Sequence, residues 1–232
     1  MNNNTHPSFV LKGDIIYSIS KDEILTVPSG YVVCVNGTSR GVFEKLPQEY
    51  ECLSLHDYSG KLIIPGLVDL HIHAPQYAFR SMGMDQELME WLQQQTFPEE
   101  SKYSDLDYAQ KAYQIFVDSM FRAVCDAVQV SKLYWRLIDQ NQSPLTFREA
   151  FFLATKGGGS FFGRAGSFEP DYDFSAIVLD DSLIPHPMEL SLSQRLERAA
   201  YGALDLYGIC AKYVCGELIY RNDTAAPQAA SS

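Results

Sequence analysis

Basic residues are scarce in this chain: 18 lysines and arginines face 29 aspartates and glutamates, for a formal net charge of -11 and a pI near 4.8. Nothing in that balance would offset the repulsion of phosphates, which argues against nucleic acid or an anionic membrane surface as a partner. Long apolar runs are lacking as well. No stretch reaches the roughly 18 apolar residues that a membrane-spanning helix needs, and no basic leader followed by an apolar run opens the chain. The expected location is cytoplasmic. Cysteines stand at 34, 52, 125, 210 and 215 with no CxxC pair, which excludes a thiolate zinc site and a disulfide framework. They read as small buried hydrophobes in a reducing compartment. Histidine is limited to His6, His56, His71, His73 and His186, so any imidazole-rich centre has few donors to draw on.

What is present is enough for a core: 232 residues, 46% of them hydrophobic, which suits one large domain or two modest ones. Residues 9–64 read as short strands. A turn is expected at Pro28-Ser29-Gly30 and a hairpin at Asn36-Gly37, the dipeptide that tolerates two successive left-handed residues. After Leu62-Ile63-Ile64 the Pro65-Gly66 pair breaks the pattern. Leu67-Val68-Asp69-Leu70-His71-Ile72-His73 then reads as a mainly apolar strand of the parallel, buried type. Helical periodicity follows over residues 84–95, ended at Thr96-Phe97-Pro98. It resumes over about 105–139, a length better served by two helices meeting near Asp118-Ser119.

Thr146 with Glu149 makes a capping box that opens a short helix stopping at Gly157-Gly158-Gly159. Strands return over 175–179, 212–215 and 217–220, with a helix over 192–207 between them and a polar tail over 223–232. No internal repeat is present.

His71 and His73, two apart on a strand, share one face and could offer a nitrogen each to a single metal ion. Preceded by Pro65-Gly66-Leu67-Val68-Asp69-Leu70, the pair resembles the first barrel strand of the amidohydrolase superfamily. The run His71-Ile72-His73-Ala74-Pro75-Gln76-Tyr77, with Glu90-Trp91-Leu92 and Thr96-Phe97-Pro98-Glu99, is similar to the N-terminal part of guanine deaminases. Ser119 to Val124, Ala154-Thr155-Lys156-Gly157-Gly158-Gly159, Gly166 to Pro170 and Ala211-Lys212-Tyr213-Val214 resemble the C-terminal part of that family.

The resemblance implies a metal-dependent (β/α)8 barrel in which zinc-bound water attacks guanine, giving xanthine and ammonia. It implies His71 and His73 as metal ligands, Gln76 as reader of the purine edge, and Trp91 and Phe97 as pocket residues. For the two aromatics, an apolar helix face packed on the core is the alternative. The family is often dimeric, so a homo-oligomer is a further implication.

A (β/α)8 barrel takes about 250 residues, and between His73 and Ser175 this chain has room for far fewer units. The resemblance skips the middle of the family, with a seam near residues 117–119. With that middle go the remaining histidine ligands, the proton-shuttling Glu and the metal-binding Asp. His6, His56 and His186 read as surface histidines, and Asp118 reads as helical rather than as the metal carboxylate.

The expected fold is α+β: a composite β-sandwich from residues 1–65 and 168–222, with residues 66–167 as a barrel remnant of one strand plus helices. Three functional readings follow. The first is a guanine deaminase-like chain inactive alone. The second is an interaction or self-association module that covers exposed apolar surface. The third, disfavoured by the histidine count, is an enzyme completed across subunits.

Overall fold

The computed structural model describes residues 7–70, 73–122, 146–183, 185–201 and 208–222. His6, His71, Cys125, the helical pattern beyond Arg122 and the expected tail at 223–232 lie outside the described residues. The chain divides into two compact units, Met1–Asp69 with Ala123–Ser232, and Leu70–Arg122.

The first unit is built on seven strands: β1 (Phe9–Ser20), β2 (Glu23–Val35), β3 (Thr38–Phe43), β4 (Ser54–Pro65), β5 (Ala176–Leu179), β6 (Ile209–Val214) and β7 (Glu217–Arg221). Their spatial order is β3-β2-β1-β4-β5-β6-β7. Strands from both chain ends thus join in one continuous sheet, where a two-sheet sandwich was expected. The joint is the antiparallel pairing of Leu62, Ile63, Ile64 and Pro65 with Leu179, Val178, Ile177 and Ala176.

Alternation along the strands loads both faces of this sheet. One face gathers Phe9, Leu11, Ile15, Val32, Val178, Ala211 and Tyr213 around Phe168 and Phe174. The other gathers Ile16, Leu62, Ile64, Ile177, Leu179 and Ile209 beneath Phe151, Leu196 and Ala199. Those last three come from two helices, Phe147–Phe152 and Leu192–Tyr201.

The Asn36-Gly37 hairpin is present, both residues left-handed at φ 53° and 77°. Pro28-Ser29-Gly30 is not a turn. β2 passes straight through it, and the true reversal is at Lys21-Asp22, between paired Ser20 and Glu23. Ser29 takes φ 50° because the register with β1 slips between Gly13 and Ile15. This bulge carries a purpose: the Ser29 amide donates to Asp14 Oδ1 at 3.0 Å.

The other Asp14 oxygen meets Arg195, which sits on α5 (Leu192–Tyr201). Arg195 donates to Asp14 at 2.6 Å, to both oxygens of Asp181 at 2.7 Å and to the Gly60 carbonyl at 2.9 Å. Both aspartates are buried. A planar guanidinium is suited to this, offering five fixed donors to two carboxylates and a carbonyl.

Thr146 caps α4 (Phe147–Phe152) in the expected box with Glu149, and a wide π turn, Leu153–Gly157, follows it. Ser191 caps α5 similarly, with its hydroxyl accepting from the Gln194 amide at 3.3 Å.

His56 is not a surface histidine. It is half-buried, its ring 5.2 Å from that of Phe9, and its Nδ1 lies 3.1 Å from the Tyr213 hydroxyl, which also meets that of Tyr58 at 2.8 Å. Burial, then the charge of Arg221, lowers its pKa. His186 is exposed, as expected. Cys34 and Cys210 are buried, but Cys52 and Cys215 are exposed, against the expectation of buried thiols. Cys215 supplies the first position of the β6–β7 turn, where Gly216 follows.

In the second unit, α1 (Leu88–Trp91) runs through a π turn, Leu92–Thr96, into α2 (Phe97–Ser101). The helix therefore does not stop at Thr96-Phe97-Pro98. The Phe97 amide reaches back to the Leu92 carbonyl, and the wide turn accommodates Pro98, which has no amide proton to give. α3 (Leu106–Arg122) passes unbroken through Asp118-Ser119; Ser119 donates to the Ile115 carbonyl at 2.8 Å instead of capping a new helix.

Two outcomes follow. Arg195→Ala strands two buried carboxylates and is expected to cost about 3 kcal/mol in urea unfolding, with Arg195→Lys recovering only part. Because the folded pKa of His56 is lowered, the unfolded chain binds the extra proton first. Stability is expected to decline as pH falls below about 6.5 toward the folded value. Urea midpoints at pH 7.5 and 5.5 measure this, and His56→Gln should flatten the difference.

Candidate functional site

The residues singled out from sequence fall on the segment after Pro65. In the first unit, residues 66–69 leave the sheet without strand pairing, held by Gly66 N to Ser175 O and Val68 N to Ala154 O, both at 2.8 Å. Residues 66–70 and 73 are thus in no strand, where a barrel strand was expected. A parallel strand needs neighbours on both sides to satisfy its amides and carbonyls, and among the described residues no such neighbour is present.

The glycines at 157–159 explain how this coil lies so close to the π turn. A Cβ on Gly158 would stand 2.8 Å from the Leu153 carbonyl and 3.4 Å from Val68, and one on Gly159 would stand 2.0 Å from the Ala165 carbonyl. Only glycine fits there. Lys156, in the same motif, donates to the Ile19 carbonyl at 2.8 Å and to the Glu169 carboxylate, fastening the turn to the end of β1.

In the second unit, His73 is the residue from which a 3-10 turn, Ala74–Phe79, begins. It is exposed. Its carbonyl accepts from the Gln76 amide at 3.0 Å, and the Gln76 side-chain nitrogen lies 3.4 Å from His73 Nδ1. The structure therefore brings His73 and Gln76 together. The pairing bears on chemistry, because a neutral imidazole offers one acceptor nitrogen. A glutamine that accepts from Nδ1–H leaves Nε2 as a donor to a metal, whereas one that donates to Nδ1 spends that acceptor. The amide orientation decides which holds.

Trp91 has a structural occupation. Its indole N–H donates to the Met82 carbonyl at 3.0 Å and its ring lies 5.3 Å from Phe79, so it pins the loop between them. Phe97 projects outward, 54% exposed.

A feature the sequence did not announce is Glu99, buried against Lys102 and Tyr108. It reads from sequence as an ordinary solvated acid at a helix start. Its hydrogen bonds to Lys102 and then Tyr108 hold its carboxyl below the usual range.

A catalytic zinc site ordinarily uses three protein ligands. Among the described residues no cluster of three histidine, cysteine, aspartate or glutamate side chains is placed to hold a metal ion. His56 is engaged with Tyr213 in the sheet unit, and Asp118 accepts from Gln114 at 2.8 Å on its own helix. The donors described do not fit a catalytic zinc ion. No described helix is long and apolar enough to cross a membrane.

Comparison with known proteins places these features. No protein-family model matches the chain. The guanine deaminase of Dictyostelium discoideum is 32% identical over 133 residues, covering 49% of this chain and 29% of that one. The chain thus spans less than a third of that relative's length. In fold, the chain is similar to the guanine deaminase from C. acetobutylicum, solved with guanine in its active site. The TM-score is 0.76 at 20% identity, spanning 92% of this chain and 100% of the other. A zinc-bound adenosine deaminase from Xanthomonas campestris aligns at TM-score 0.61 and 11% identity, over 91% of this chain and 92% of its own.

Trp91→Phe keeps the ring contact with Phe79 and removes the bond to Met82. It is expected to cost about 1 kcal/mol, read as faster amide exchange over residues 79–91 with the sheet amides unchanged.

Proposed function

We propose that this relative of guanine deaminases is a guanine deaminase-like amidohydrolase chain that retains the family's sheet and the first part of its site, and that is inactive alone. The observation that carries the reading is the supply of donors. The sequence holds five histidines, and only His71 and His73 stand on the motif that resembles the family's metal ligands. His73 sits beside Gln76, while His71 falls outside the described residues.

Deamination of a guanine ring needs a nucleophilic hydroxide at neutral pH, a carboxylate that delivers a proton to the leaving ammonia, and groups that orient the purine. Zinc supplies the first when bound with a full ligand set. Here His71 and His73 would offer two nitrogens, and Gln76 could present an amide donor and acceptor to a purine edge. The one acid buried near this turn in sequence among the described residues, Glu99, has one carboxylate oxygen accepting from Lys102 and the other from Tyr108, so it is already engaged within its own unit. With two protein nitrogens zinc binding is weak, and guanine is not turned over.

The barrel remnant over residues 66–167 and the loss of the family's middle belong to the same proposal. A second reading, a self-association module, is favoured by one specific observation. In the unit Leu70–Arg122, Met82, Met84, Leu88, Met89 and Leu106 are all more than half exposed. Where exposed apolar side chains gather into a patch, a partner ordinarily covers it, and a second copy of this chain is the candidate proposed.

Purified chain loaded with zinc is expected to release no xanthine from guanine above the uncatalysed rate. Robust turnover that is lost on His73→Ala would overturn the reading. Light scattering tests the second reading: a monomeric mass at micromolar concentration would count against it.

A further inference from the structure

The buried carboxylate of Glu99 begins a chain of contacts that ends at the turn after His73. Glu99 accepts from Lys102 Nζ at 2.7 Å and from the Tyr108 hydroxyl. The Tyr108 ring meets Tyr103 edge-on at 5.5 Å, and Tyr103 meets Tyr113 edge-on at 5.3 Å. The Tyr103 hydroxyl then donates to the Pro75 carbonyl at 3.3 Å. Pro75 lies inside the 3-10 turn Ala74–Phe79, whose first hydrogen bond runs from Gln76 to His73. Farther along the same turn, Tyr77 packs edge-on against Phe116 of α3 at 5.6 Å, and Arg80 lies over the Tyr77 ring at 4.2 Å.

We propose that Tyr103, held in place by Glu99 and Tyr108, is a positioning residue that fixes the turn carrying His73 and Gln76. The inference rests on the reading that these two residues face metal and purine. Proline has no amide proton, so the Pro75 carbonyl is its one backbone hydrogen-bonding group. Tying that carbonyl down constrains a short 3-10 turn whose own hydrogen bonds have poor geometry.

The charge-assisted bond from Tyr108 to a buried carboxylate is stronger than a neutral one and fixes the Tyr108 ring. Edge-on aromatic contacts then leave Tyr103 one resting place. This explains why a carboxylate is buried in a unit with so little core. Glu99 acts through two tyrosines on the backbone that holds the histidine.

The test uses the full chain and two readouts that need no metal: amide exchange at Gln76 and the ring carbon and nitrogen signals of His73 by NMR. Tyr103→Phe keeps the ring and removes the hydroxyl. It is expected to speed Gln76 exchange about fivefold, the equivalent of one ordinary hydrogen bond. It should also displace the His73 signals, with the amides of β1 and β4 unchanged. Glu99→Gln, which keeps the size and removes the charge, should move the same signals in the same direction by less.

Unchanged Gln76 exchange and His73 signals in Tyr103→Phe would overturn the proposal. So would acceleration spread evenly along α3, since that marks a merely structural role. Should Tyr103→Phe fail to fold, Glu99→Gln decides by the same two signals. A zinc titration of the unaltered chain keeps the two readings apart. Absence of zinc binding sinks the half-site reading, while the NMR signals still decide the role of Tyr103.

Discussion

The first unit depends on one partly buried cation set between two buried carboxylates. Arg195 joins Asp14, Asp181 and the Gly60 carbonyl, groups that lie on β1, after β5 and within β4. The first of these is 181 residues away in sequence. It therefore adds an ionic tie between the two chain ends beside the four-residue pairing of β4 with β5. Each carboxylate would be costly to bury unpaired, so the three charges are stable only as a set. The bulges at Asp14 and around Gly60 follow from the same demand, because they turn an aspartate and a carbonyl out of the ladder toward the guanidinium.

The consequence for function is a sheet that stands on its own contacts. Both faces are loaded with apolar side chains, α4 and α5 cover one of them, and His56, Tyr58 and Tyr213 add a polar tie between the ends. The sheet can thus persist whether or not a barrel completes the molecule. The segment leaving β4 then passes along the glycine run at 157–159 as coil. In the other unit, the turn after His73 is held by tyrosines instead of by a sheet. The sheet and the turn bearing His73 and Gln76 are both present, while no cluster of three metal-donor side chains stands among the described residues.

Features set by neighbouring residues were legible in the sequence. Asn36-Gly37 specifies its hairpin by backbone conformation alone, and Thr146 with Glu149 caps α4 through groups three residues apart. Features set by distant partners were not legible. Pro28-Ser29-Gly30 has turn chemistry, yet Asp14 across the ladder and Arg195 far along the chain convert it into a bulge. His56 looked like a surface residue because Tyr213, its partner, stands 157 residues away. The burial of Glu99 had no sequence signal, because it depends on the folded positions of Tyr108 and Lys102. The π turn at 92–96 overrode the stop signal at Pro98, since a wide turn removes the need for the amide proton that proline lacks.

On the proposed reading, His71 and His73 make half a metal site. X-ray absorption at the zinc edge of zinc-loaded protein tests it most directly, because it counts imidazole neighbours around the ion. The expected result is a shell of mainly water oxygens with no more than two imidazoles, lost on His73→Ala. A shell of three or more protein ligands, with a carboxylate among them, would contradict the account.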